Sequence, residues 1–107
     1  MTKLNNNISP EEAEDYFKKI KQEGITDLHL DLKWQSVIHK EDGVYNEAYL
    51  ASLRKILLIA EKEGVFVYIE PCHDELNPWT EDAYNHAQRR LKNLKAISGW
   101  GAINGKP

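Results

Sequence analysis

The feature that most constrains the fold is a helix-to-strand junction that occurs twice along the chain. Glu23-Gly24-Ile25 closes a stretch of helical periodicity and leads into an alternating stretch, and Glu63-Gly64-Val65 does the same. Glycine takes the left-handed conformation that ends many helices, so both glycines suit this junction. Because strands separated by helices must run parallel and be joined by crossovers, the repeated junction predicts an α/β fold.

The hydrophobic pattern divides the chain into three helix–strand units within a single α/β domain, 1–107. A polar N-terminal tail is predicted at 1–8, and the units are predicted at 9–32, 46–71 and 80–104. The 107 residues are too few for a complete eight-stranded barrel, which takes about 250 residues. We therefore expect a partial TIM-barrel-like segment, with a three-stranded parallel sheet whose strands follow chain order.

Capping residues mark where the three helices begin. Ser9 precedes Pro10 and lies three residues before Glu12, which is the pattern of a capping box. Asn46 and Thr80 are the predicted N-caps of the second and third helices. The strands that follow these helices are predicted from their own apolar pattern at 25–32, 65–70 and 97–103.

The predicted sheet has two faces with different surroundings. The second strand, VFVYIE, is β-branched and aromatic throughout, which is typical of a strand covered on both faces. In an isolated barrel segment, however, the inner face has nothing to cover it. We expect Phe66, Tyr68 and Trp100 on that uncovered face, and self-association through it or through exposed strand edges.

Composition argues against several classes of partner. The net charge is −3 and Lys and Arg are not concentrated in one stretch, so nucleic acid is not an expected partner. No run approaches the roughly 20 apolar residues that cross a bilayer, so no membrane partner is expected. The single cysteine, Cys72, cannot form an intrachain disulfide, and the N-terminus has no signal-like apolar run, which together favour a cytoplasmic location.

Three stretches, in this order, resemble glycoside hydrolase family 5, the cellulase and endoglycoceramidase-like clan of TIM-barrel enzymes. They are GITDLHLDLKW, DGVYNEAYLASLRKILLIAEKEGVFVYIEPCHD and AISGWGAINGKP. The resemblance implies the second to fourth strands of the family barrel. It also implies descent from enzymes that hydrolyse β-glycans or glycolipids.

The same resemblance implies an incomplete active site. Asp74 and Asn104 match family positions, whereas Gly105 stands where the family has its acid/base glutamate, and His29 stands where it has an arginine. The family nucleophile comes from a strand later than Pro107. Since retaining hydrolysis needs two carboxyl groups about 5 to 5.5 Å apart, we expect no hydrolysis by the chain alone.

Other candidate residues lie near the carboxyl ends of the strands, where ligands of such folds bind. The weaker catalytic candidates are His29, Asp31, Glu70 and His73. Paired carboxylates beside histidine suit a divalent metal or acid/base chemistry, but charged side chains are also ordinary on a face open to water. Because the chain lacks a compact signature such as HExxH, we expect neither a metal nor a cofactor.

Aromatic and amide side chains give the case for carbohydrate as a partner. Indole rings stack on sugar rings while amides bond to hydroxyl groups. The predicted sugar-contacting residues are Trp34, Asn77, Trp79, Trp100 and Asn104. The alternative for Trp34 and Trp100 is that they fill the interior of the segment. A non-catalytic carbohydrate-binding or self-assembling module therefore remains open beside a glycosidase fragment.

Overall fold

The structure is a computed structural model that describes residues 2–39, 42–72 and 78–103. Within these residues, the order of the helices and strands is α1 (Pro10–Gln22), β1 (Asp27–Leu32), α2 (Trp34–Val37), α3 (Glu47–Glu63), β2 (Phe66–Pro71), α4 (Pro78–Arg90) and β3 (Ile97–Trp100). Each strand follows a helix, as the two glycine junctions predict, and the short helix α2 is added between β1 and α3. None of the described helices is both long and apolar enough to span a membrane.

The three strands form one parallel sheet in the order β1-β2-β3, which confirms the predicted fold. Alternate residues of β1 and β2 are buried beneath the helices, as a period of two requires. The core consists of these strand residues and the apolar stripes of α1, α3 and α4. The opposite face of the sheet has no helix packed on it among the described elements, so the architecture has two layers.

Residues 2–4 correct the prediction of a polar tail. Lys3 forms a parallel bridge with His29, in which the Leu4 amide donates to the His29 carbonyl at 2.8 Å and the His29 amide donates to the Thr2 carbonyl at 3.0 Å. Leu4 is buried in the core. Burial of this one apolar side chain and pairing of the edge amides hold the segment against β1, so that edge is partly covered.

Two of the three predicted caps are confirmed. Ser9 and Glu12 form the reciprocal capping box of α1, and the Asn46 side chain accepts from the Tyr49 amide at 3.1 Å. Thr80 is not a cap, because α4 begins two residues earlier at Pro78 and Thr80 is buried within its first turn. Proline has no amide to leave unsatisfied, so it suits the start of a helix.

The third strand is shorter than predicted and is shifted in register. It spans Ile97–Trp100, and the pairing slips between Val67 and Tyr68, so that Tyr68 pairs with Gly99 and Ile69 with Trp100. A slip of one residue moves a side chain to the other face of a sheet. Trp100 therefore lies on the helix side, against the ring of Tyr84, and its predicted place on the uncovered face is wrong.

The uncovered face carries the other two aromatic residues predicted for it. Phe66 is 45% exposed and Tyr68 37% exposed, so β2 is covered on one face and not on both. The aromatic run was misleading because a full barrel would cover these side chains. Self-association through this surface stays a prediction.

Candidate functional site

Three titratable side chains converge on the uncovered face of the sheet. His29 Nε2 lies 2.6 Å from Glu70 Oε1 and 3.9 Å from Asp31 Oδ1. One nitrogen or oxygen atom from each residue lies within 4.8 Å of the others. All three side chains are partly buried. The structure therefore brings together three of the four weaker catalytic candidates.

Strand register explains this convergence. Asp31 and Glu70 are direct partners across β1 and β2, and His29 lies two residues before Asp31, on the same face. Carboxylates directly opposite one another repel. The Lys3 ammonium lies 2.7 Å from Asp31 Oδ2, while the imidazole of His29 lies on the Oδ1 side. The Lys3 ammonium offsets part of that repulsion.

Neighbouring residues hold the cluster in shape. The ring of Tyr68 meets the imidazole of His29 edge-on, with centroids 5.5 Å apart and planes at 87°. On the other side, Gly101 lies so close to Glu70 that a Cβ atom there would be 2.6 Å from the Glu70 Cβ. Because the Cβ atoms of two residues do not approach each other this closely, a residue without a side chain is needed at position 101 if Glu70 is to lie where it does.

Two of the predicted tryptophans form a stacked pair beyond the carboxyl ends of the strands. The rings of Trp34, which follows β1, and Trp79, in the first turn of α4, have centroids 6.3 Å apart and planes at 14°. Trp34 is buried, and its Nε1 has no hydrogen-bond partner among the described residues. Trp79 is 42% exposed. The pair presents one supported indole to solvent, which is the geometry that sugar stacking uses.

Four predicted site residues lie outside the described residues. They are His73, Asp74, Asn77 and Asn104. The family-matching positions therefore stay predictions. Trp100 is described, but its ring packs on Tyr84 on the helix side of the sheet and not on the uncovered face.

Sequence reasoning missed two residues that shape the site. Lys3 falls in the predicted tail, and Thr2, Lys3 and Leu4 are too few residues to carry a periodic strand signal. Tyr84 is not among the residues that the sequence predicts for the site; its hydroxyl lies 2.7 Å from the Gly101 carbonyl and 3.1 Å from the Ile69 carbonyl. Burial raises the pKa of Tyr84, so this hydroxyl keeps its proton as a donor.

The sequence of this chain matches a known protein family. Residues 1–103 match the family model described as cellulase, glycosyl hydrolase family 5. The chain belongs to glycosyl hydrolase family 5. This confirms the family inferred from the three sequence stretches, and the α/β segment described above is the family's barrel scaffold in part.

Similar proteins include fungal enzymes and a bacterial structure. The glucosylceramidase of Cryptococcus neoformans var. grubii is 41% identical over 59 residues, which is 55% of this chain and 8% of that enzyme. The glucosylceramidase of Rhizopus delemar is 30% identical over 64 residues, 60% of this chain and 9% of that enzyme. The matched part of the chain thus spans under a tenth of the length of each of these relatives.

The solved structure with a similar fold is a family 5 protein from Bifidobacterium longum subsp. longum in complex with Manβ1-4GlcNAc. It superposes with a TM-score of 0.66 over 85% of this chain and 27% of its own, at 14% identity. At that identity the likeness shows the fold alone. It supports a barrel segment of three strands rather than a different α/β arrangement.

Proposed function

We propose that this chain is a substrate-facing segment of a family 5 glycoside hydrolase that acts on β-glucosyl lipids, and that the 107 residues alone bind such a glycolipid without hydrolysing it. The observation that carries the substrate class is the local similarity to glucosylceramidases, which reaches 41% identity. The family as described is broader and includes cellulases. The choice of a glycolipid as substrate therefore rests on the local similarity to glucosylceramidases and not on the family match.

The binding surface we propose is the exposed indole of Trp79. The buried ring of Trp34 stacks against it, with an angle of 14° between the two ring planes. A ring fixed in this way loses little side-chain entropy when a sugar stacks on it. The carboxyl ends of parallel strands, where the pair lies, are where family 5 barrels and other α/β folds bind ligands.

We expect no hydrolysis by the chain alone because of the chemistry that the reaction requires. A retaining glycosidase needs one carboxyl group to protonate the leaving oxygen and another to attack the sugar. Glycine occupies position 105, where the resemblance expects the proton donor, and glycine has no proton to transfer. Asp31 and Glu70 are both engaged by basic groups, Lys3 and His29 respectively.

The test is co-sedimentation of the chain with phosphatidylcholine vesicles that contain either glucosylceramide or ceramide. We expect binding only when the glucosyl headgroup is present, and loss of that binding in Trp79→Ala. Trp100→Phe is the matched control, because this ring lies on the helix side and its replacement should leave binding unchanged. Equal binding to both vesicles, or normal binding by Trp79→Ala, would contradict the proposal.

A further inference from the structure

The cluster of His29, Asp31 and Glu70 carries a second inference, which is independent of sugar binding. We propose that these three side chains form a site for one zinc-class divalent cation on the uncovered face of the sheet. This goes beyond the initial expectation of no metal, which rested on the absence of a compact sequence signature. Here the ligands come from two strands, so no single-segment motif could have shown them.

The separations between the side-chain atoms suit such a cation. Zinc binds imidazole nitrogen and carboxylate oxygen at about 2.0–2.2 Å, so neighbouring ligands in a tetrahedral site lie about 3.4 Å apart. The His29 nitrogen lies 2.6 Å from the Glu70 oxygen and 3.9 Å from the Asp31 oxygen, which brackets that value. All three candidate ligand atoms lie within 4.8 Å of one another, and the side chains that carry them are only partly buried, so rotations about their side-chain bonds can bring the atoms to a common centre.

The charges of the described side chains at the cluster also favour a cation. Asp31 and Glu70 bring two negative charges to directly opposed positions, and Lys3 supplies one fixed positive charge. The ammonium of Lys3 bonds to Oδ2 of Asp31, which leaves Oδ1 directed toward His29. The two oxygens of Asp31 are thus divided between a lysine and the proposed metal position.

The ligand types decide the class of metal. One imidazole with two carboxylates suits zinc, cobalt or nickel, whereas magnesium and calcium prefer oxygen ligands alone. Three protein ligands leave a fourth position for water or another molecule. Two neighbouring residues position the proposed ligands. Tyr68 packs edge-on against the imidazole of His29, and the absence of a side chain at Gly101 leaves room for Glu70.

The experiment is a titration of the purified 107-residue chain with Zn²⁺ by calorimetry, and with Co²⁺ by visible absorption, beside Mg²⁺. We expect one equivalent of Zn²⁺, the intense visible bands of four-coordinate Co²⁺, and no response to Mg²⁺. His29→Gln should weaken Zn²⁺ binding at least about 100-fold, since removal even of supporting groups costs about 10–100-fold. His39→Gln, which changes an exposed histidine elsewhere, should leave the affinity unchanged.

Two further variants keep the test decisive if His29→Gln does not fold. Asp31→Asn retains the size of the side chain and should also weaken binding. Lys3→Ala should strengthen it, because it removes the cation that competes for Asp31. Circular dichroism monitors folding of each variant. Absence of binding to the folded wild type, or unchanged Zn²⁺ affinity in both His29→Gln and Asp31→Asn, overturns the proposal.

Discussion

His29 of β1 and Glu70 of β2 lie on neighbouring parallel strands with 2.6 Å between Nε2 and Oε1, on the face of the sheet that no described helix covers. The contact is diagonal, since the register partner of Glu70 is Asp31. The imidazole therefore lies close to both members of an opposed carboxylate pair. The contact between His29 and Glu70 therefore joins β1 to β2 and is also part of the charged cluster on the uncovered face.

The first prediction concerns the coupling between these two residues. His29→Gln and Glu70→Gln should each destabilise the chain, and a double-mutant cycle should give a coupling free energy of about 1 kcal/mol, because both side chains are only partly exposed. The measurement is urea unfolding followed by circular dichroism in metal-free buffer. A coupling free energy indistinguishable from zero would mean that the contact contributes nothing to folding.

A second prediction follows from the close approach of Gly101 to Glu70. Gly101→Ala should cost about 1–3 kcal/mol, because the new Cβ would lie 2.6 Å from the Glu70 Cβ and the two strands must separate. Ser98→Ala, an exposed change on β3, is the matched control. If Gly101→Ala unfolds at the same urea concentration as the wild type, the steric argument is wrong.

Tyr84 gives a third prediction. Its hydroxyl donates one hydrogen bond at the end of β2 and β3, with the Gly101 carbonyl at 2.7 Å as the nearer acceptor. Tyr84→Phe should lower the free energy of unfolding by about 1 kcal/mol, since the partly buried Gly101 carbonyl loses the hydroxyl as its donor. Tyr16→Phe on α1 is the control and should have little effect. Equal stability of the two variants would remove the proposed role of the hydroxyl.

A fourth prediction concerns pH and the contact between α3 and α4. Arg90 donates from Nε and Nη2 to the Glu47 carboxylate at 3.0 and 3.2 Å, and His86 Nε2 lies 2.9 Å from it. The Arg90 guanidinium, and with it His86, holds the pKa of Glu47 below its ordinary value of 4.5. A depressed folded-state pKa gives stability that is present above the unfolded-state pKa and is lost as pH falls through the folded-state pKa.

Wild type and Glu47→Gln should therefore differ most in stability near neutral pH, and their unfolding midpoints should converge as the pH falls below about 4.5. Glu61→Gln, an exposed change on the same helix, should run parallel to the wild type across this range. A difference between wild type and Glu47→Gln that persists unchanged into acid would show that the ion pair is not its source.

The sequence was sufficient for the fold because its signals are local. The capping box at Ser9, the left-handed closures at Gly24 and Gly64, and the alternation in β1 each depend on a few neighbouring residues, and the structure bears them out. The same alternation placed Asp31 and Glu70 on one face of neighbouring strands.

The remaining features depend on pairing between distant segments. The slip between Val67 and Tyr68 moves Trp100 to the helix side, and nothing in the sequence of β3 itself requires that slip. Lys3 reaches Asp31 only because residues 2–4 pair with β1. Such long-range register follows from packing of the whole sheet, so periodicity along one segment does not reveal it.

We propose above that this scaffold retains a sugar-facing surface and that the chain alone does not cleave the glycolipid. The direct measurement is glucose release from glucosylceramide in detergent micelles by the purified 107-residue chain. We predict release no greater than that of a heat-denatured sample. Release by the wild type that disappears in Asp31→Asn or Glu70→Gln, with both variants folded, would contradict the claim and place the reaction in the cluster around His29.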